Sequence, residues 1–188
     1  MDSLNDKLRD IEQNFLKKKP MKNAIVNTTL NTFLKLISFR GIALELYGKK
    51  GTGKTATMYK LIAQLQSQGY LCMLINADFS YDGKFAEECK IDNSKLILIN
   101  TNDINEILKI ISGSKNCYIF IDSMAALDLE KISIDNLISI IRHNHLGLIY
   151  TNQIRNKKRG LSSYGRKLLK LYTDKRILVT KGELERIK

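Results

Sequence analysis

The stretch Gly48-Lys49-Lys50-Gly51-Thr52-Gly53-Lys54-Thr55 limits what this chain can fold into more than any other feature. It matches G-x-x-x-x-G-K-[ST] without deviation. An apolar run, Ile42 to Tyr47, precedes it, and a helical pattern from about 54 to 68 follows, stopped by Gly69. The order strand, glycine loop, helix has a physical purpose. Gly48, Gly51 and Gly53 allow the backbone to curl with its N–H groups aimed at phosphate oxygens. The helix adds the positive end of its dipole. Lys54 is expected to reach the β- and γ-phosphates of ATP, and Thr55 to offer its hydroxyl to Mg²⁺. Lys49, Lys50, Thr52 and Ala56 complete the expected cofactor-binding loop.

The rest of the chain alternates in the same way. Apolar strands are predicted at Leu71–Asn76, Leu96–Ile99, 116–122 and 146–151. Helices are predicted near 82–90, 103–112 and 133–144. Strands apolar throughout, separated by helices, imply a mostly parallel sheet covered on both faces, an α/β fold. Asp122 ends the run Tyr118-Ile119-Phe120-Ile121, where a carboxylate that supports Mg²⁺ belongs. Upstream, Leu4, Leu8, Ile11, Phe15 and Leu16 recur at helical spacing over 3–18, with Ser3 as N-cap and Pro20 beyond the end. A short strand, Met21 to Val26, and a helix at 28–39 follow. Two units result: an N-terminal helix and linker over 1–27, and a core over 28–188.

A length of 188 residues suits one domain. Lys and Arg number 31 against 19 Asp and Glu, a net +12 that predicts attraction to a polyanion such as nucleic acid. A lysine-rich, AT-biased genome would produce a similar excess. Most of the charge lies between Arg155 and Lys188, where twelve cations face Asp174, Glu183 and Glu185. Gly160, Ser162, Ser163 and Gly165 mark 156–166 as a loop. Arg155, Lys157, Lys158, Arg159, Arg166 and Lys167 suit contact with a phosphate backbone, and Tyr164 suits stacking on a base. Cys72, Cys89 and Cys117 match no zinc spacing, and their odd number argues against a disulfide framework. Cys72, Cys117, Met73 and Met124 read as core. His143-Asn144-His145 lacks the ligand pattern of a metal site. With no leader pattern and no apolar run of membrane length, an intracellular, nucleoid-associated protein without membrane contact is expected.

Two further segments resemble the RecA recombinases. Ile121-Asp122-Ser123-Met124-Ala125-Ala126-Leu127 is similar to that family's Asp-Ser stretch leading into Ala-Ala-Leu. Asn152-Gln153-Ile154-Arg155 is similar to its Asn-Gln-Ile-Arg. Ile75-Asn76-Ala77-Asp78 and Ile11-Glu12-Gln13-Asn14-Phe15 add weaker likenesses, and the resemblance runs from about 7 to 180. It implies a RecA-like ATPase core. Gln153 would sense the γ-phosphate and couple it to the adjoining DNA loop. Phe85 would stack on adenine and Asp82 would hydrogen-bond its amino group. Asp78 would stand where the family has the glutamate that polarises the attacking water. Leu171 falls where the family has an interprotomer phenylalanine, and the N-terminal helix would dock on a neighbouring protomer. Single-stranded DNA, further copies of the chain, and a full-length recombinase or replication protein are the implied partners.

The departures count as well. Asp78 is one methylene shorter than glutamate, about 1.5 Å of reach. The stretch from Leu127 to Asn152 is short for the family's first DNA loop. No counterpart of its later strands, trans-acting lysines or C-terminal domain is expected beyond about Lys181. Two functions follow as expectations: an ATP-dependent DNA-binding protein of recombination, annealing or repair, with weak ATPase activity, or a nucleotide-binding regulatory module with little turnover. A small-molecule P-loop kinase is a third, opposed by Asn152-Gln153-Ile154-Arg155 and by the lack of an evident lid.

Overall fold

The computed structural model describes residues 41–153, Leu169, 171–180 and the backbone of 183–186. The expected N-terminal elements, the loop 156–166 and its basic residues Arg155, Lys157, Lys158, Arg159, Tyr164, Arg166 and Lys167 lie outside that set.

The described strands are β1 (Ala43–Gly48), β2 (Leu71–Asn76), β3 (Leu96–Ile99), β4 (Cys117–Asp122), β5 (Gly147–Gln153), β6 (Lys175–Thr180) and β7 (Glu183–Arg186). They form one sheet in the order β3-β2-β4-β5-β1-β6-β7. The first six run parallel and β7 pairs antiparallel with β6. The helices are α1 (Lys54–Ser67), α2 (Gly83–Glu88), α3 (Ile104–Ser112) and α4 (Lys131–His143).

Side-chain alternation along the strands builds two cores. Leu44, Leu46, Leu74, Phe120 and Ile149 pack with Met58, Leu61, Ile62 and Leu65 of α1. Ile75, Ile119, Ile121, Leu148 and Tyr150 pack with α3 and α4. The nine residues of α3 are too few for stability in isolation. Burial of Ile104, Ile107 and Ile111 offsets that, at roughly 1.5–3 kcal/mol each, and Asp103 caps the first turn by accepting from the Asn105 N–H at 2.9 Å. Cys72, Cys117, Met73 and Met124 are buried, as expected.

The expected strands and helices are present between residues 42 and 153, with shifts of at most two residues. The last strand read from the sequence ends at Thr151, and the structure adds to it. Residue 153 still belongs to β5, and 175–180 form β6, whose Ile177 and Val179 are buried against β1. The charges of Lys175 and Arg176 disguise this strand as part of a basic tail. In fact the Arg176 guanidinium is paired with the buried carboxylate of Glu45 on β1 and stacks 4.3 Å from the Tyr47 ring centroid. Glu45 also accepts from Asn152 Nδ2 at 2.8 Å. One carboxylate thus ties β5, β1 and β6 together on the face opposite α1.

Glu45 is 2% exposed, so removing it strands Asn152 and Arg176 without their acceptor. Glu45→Ala is expected to destabilise the protein by on the order of 3 kcal/mol, read as a fall in the thermal or urea midpoint. A midpoint equal to that of the unaltered protein would show that the network contributes nothing.

Candidate nucleotide site

In an open parallel sheet, ligands bind beyond the carboxyl ends of the strands, where successive connections run in opposite directions. Here β1 leads away across β5 and β4 to β2, while β6 lies on its other side. Gly48, Asp122 and Gln153 end β1, β4 and β5 respectively. Parallel pairing sets Gly48 level with Gln153.

The glycines of the loop have different jobs. Gly51 and Gly53 hold φ of 76° and 88°, a left-handed conformation costly for residues with a Cβ. Gly48 has a different constraint: a Cβ there would come 2.4 Å from the Val179 carbonyl oxygen and 2.8 Å from Thr52 Oγ1. The close passage of β6 therefore demands glycine at the start of the loop, a reason that only the placement of β6 makes visible. Gly53 is the N-cap of α1 and supplies no side-chain cap, and the first turn carries no acidic residue. The leading amides of a fourteen-residue helix are left to an anion.

Lys54 Nζ donates to the carbonyls of Gly48 at 3.2 Å and Lys49 at 2.8 Å, so its ammonium lies across the loop. Burial lowers its pKa from the ordinary lysine value, and the negative charge of Asp122 opposes part of that shift. Thr52 Oγ1 donates to the Lys49 carbonyl at 3.0 Å, which closes the turn. The Lys49 and Lys50 side chains are exposed, and Ala56 and Thr55 are half-buried at the helix start.

Asp122 is the hub. Its Oδ2 accepts from Thr55 Oγ1 at 2.8 Å, and its Oδ1 accepts from Thr151 Oγ1 of β5. Burial raises the Asp122 pKa, and the two threonine hydrogen bonds act against it. Because Thr55 donates its proton to the carboxylate, its oxygen lone pairs stay available. That is the donor set a hard divalent cation needs: a hydroxyl oxygen with a carboxylate behind it. The residues present fit Mg²⁺ and a triphosphate.

The backbone of Asp122 positions the neighbouring loop. Its carbonyl accepts from Ala77 N–H at 2.7 Å and Asp78 N–H at 3.2 Å. Asp78 thereby lies beside the hub, but its side chain is exposed and turned locally: Oδ1 accepts from Ser80 Oγ at 2.6 Å and Ser80 N–H at 3.2 Å. Asn76 fixes the same loop, accepting from Tyr81 N–H at 3.1 Å and donating to Asn100 Oδ1 at 2.6 Å. Asp82 caps α2, its Oδ1 accepting from the N–H groups of Lys84 at 2.9 Å and Phe85 at 3.2 Å. The Phe85 ring, 36% exposed, lies 5.7 Å from Tyr59, which in turn lies 5.8 Å from Tyr81. Tyr59 is buried one turn beyond Thr55, so α1 supports the aromatic platform as well as the loop.

Lys54, Thr55 and Asp122 are thus brought together, with Asp78 and Gln153 alongside and Asp82 and Phe85 on the flank. Sequence reasoning passed over Asn76, Thr151, Asn152 and Glu45 as participants. Each is a buried polar residue within an otherwise apolar strand, and that pattern was the available signal. Among the described residues no group of histidine, cysteine and carboxylate side chains forms a separate metal site, and no helix is long and apolar enough to cross a membrane.

Comparison with known proteins gives a consistent result. The RecA N-terminal domain family matches residues 6–137. Protein RecA of Campylobacter lari is 27% identical over 150 residues, covering 67% of this chain and 43% of that protein. Protein RecA of Mycoplasma mycoides subsp. mycoides SC is 27% identical over 172 residues, covering 77% of this chain and 50% of that protein. The chain therefore spans about half the length, or less, of these relatives. The family match covers more than half of the chain, and the chain belongs to the RecA family.

Proposed function

We propose that this protein binds ATP with Mg²⁺ and uses it to control its grip on single-stranded DNA, in recombination, annealing or repair. One observation carries the reading: Lys54, Thr55 and Asp122 converge at an uncapped helix N-terminus. In that arrangement the loop amides and Lys54 hold the phosphates, and Thr55 with Asp122 holds Mg²⁺. Gln153 would feel the terminal phosphate, a role supported by its pairing level with Gly48, and the sequence runs on from it into the basic stretch 155–167. Phe85, supported by Tyr59, offers a face for the adenine ring. Asp82 keeps its proposed contact with the adenine amino group, next to its role as the α2 cap. The segment 3–18, whose sequence pattern suggests a helix, would join protomers, with Leu171, 75% exposed, at the same kind of contact. A full-length recombinase or replication protein is a further partner in this scheme.

A second reading has its own support. The Asp78 carboxylate is engaged with Ser80 and carries a shorter side chain than the glutamate of the family pattern. That favours a module that binds nucleotide and turns it over slowly. Steady-state hydrolysis of Mg·ATP with and without single-stranded DNA separates the two. Stimulation by DNA supports the first reading. Nucleotide binding with no DNA-dependent turnover supports the second.

Misplacing a catalytic group by about 1 Å costs on the order of 10²-fold in rate. Asp78→Glu is therefore expected to raise the turnover number by roughly tenfold or more, and an unchanged number would remove Asp78 from the catalytic account. Neutralising Arg155, Lys157, Lys158 and Arg159 together should weaken single-stranded DNA binding and flatten its salt dependence, by about 0.7 in log–log slope for each phosphate that is no longer neutralised. Equal affinity and slope would move the DNA site elsewhere.

A further inference from the structure

Thr151 is 1% exposed and sits near the end of β5, two residues before Gln153. Strand alternation sends Thr151 and Gln153 to the α1 side of the sheet, while Tyr150 and Asn152 face the other side with Glu45 and Thr173. The Thr151 hydroxyl donates to Asp122 Oδ1, and Asp122 Oδ2 receives Thr55. Each carboxylate oxygen therefore has one hydroxyl donor, from two different elements. A buried carboxylate with a single donor would be free to turn about its terminal torsion, which is broad and roughly two-fold. With both donors in place its plane is fixed, and Oδ2 is held against the Thr55 hydroxyl.

We infer that Thr151 is a positioning residue for Mg²⁺: by holding Asp122 Oδ1 it fixes the carboxylate that supports the cation, and it links that carboxylate to the strand ending in Gln153. This rests on the reading of the site as a Mg·ATP site. Thr151 does not touch the phosphates or the cation; it acts through Asp122. Partners of this kind are worth 10–100-fold in metal affinity, because they orient the group that faces the ion. The placement also gives β5 a stake in the cation site at one residue and in the phosphate end at another, 151 and 153.

The test is equilibrium ATP binding by the full chain across a Mg²⁺ titration, with a parallel series in EDTA. For Thr151→Val the apparent Mg²⁺ affinity should fall about 10–100-fold, while ATP binding in EDTA, carried by the loop and Lys54, stays as in the unaltered protein. Thr151→Ser, which keeps the hydroxyl, should restore the Mg²⁺ response. Should the valine variant fold poorly, Thr151→Ala against Thr151→Ser isolates the same oxygen, and melting curves show that each is folded. An unaltered protein that binds Mg·ATP, with hydroxyl-free variants matching it, overturns the role of Thr151 alone. Loss of ATP binding in EDTA as well as in Mg²⁺ also overturns it, since the effect would then be general damage. An unaltered protein that binds no ATP in Mg²⁺ or in EDTA overturns the nucleotide reading and this inference with it, and one whose ATP binding ignores Mg²⁺ overturns the cation site and this inference.

Discussion

A carboxylate buried where three elements meet has to be supplied with hydrogen-bond donors or it will not remain charged. Asp122 meets that requirement at the end of β4 by taking one hydroxyl from α1 and one from β5, while its own carbonyl takes two N–H groups from the loop after β2. Around this one residue the fold brings together everything the site uses. Thr55 at the start of α1, the loop carrying Asp78 and Thr151 near the end of β5 are each tied to it by hydrogen bonds. The cost is a pKa pushed up by burial, which the two threonines partly counter. A hydrophobic residue in the same place would suit the core better. A buried acid in that place argues for a role in binding charge.

On the reverse face a second buried acid does a different task. Glu45 joins Asn152 and Arg176, and so holds β5 and β6 to β1 one residue before Gln153 on β5. The two acids are on opposite sides of the sheet and share β5, where Thr151 answers to Asp122 and Asn152 to Glu45. Passage of β6 at this point brings the Val179 carbonyl so close to residue 48 that only glycine fits. The first glycine of the loop is therefore a packing requirement, whereas Gly51 and Gly53 satisfy a conformational one.

Much of this was legible in the chain itself. The loop 48–55 announces its chemistry because that chemistry needs fixed residue types at fixed spacing. The strands β1, β2, β4 and β5 stand out because strands buried on both faces are largely apolar, β3 stands out because its four residues are all apolar although Ile97 and Leu98 are exposed, and Asp122 is visible as the acid that ends such a run. β6 escaped because Lys175 and Arg176 begin it, and a cation whose partner is 131 residues away reads as solvated. Thr151, Asn152 and Glu45 escaped for a related reason: a polar residue in an apolar strand gives no hint of which distant group it meets. The local commitments of Asp78 to Ser80 and of Asp82 to the α2 cap depend on turn geometry, which the residue types permit but do not dictate.

Capture of a magnesium-bound triphosphate by the loop, Lys54, Thr55 and Asp122 is the claim on which the functional reading depends. Calorimetric titration of Mg·ATP into the folded protein and into its Lys54→Ala variant tests this most directly. Saturable binding by the unaltered protein, abolished by the substitution without loss of folding, is the predicted result. Absence of binding by the unaltered protein, or equal binding by the variant, would contradict it.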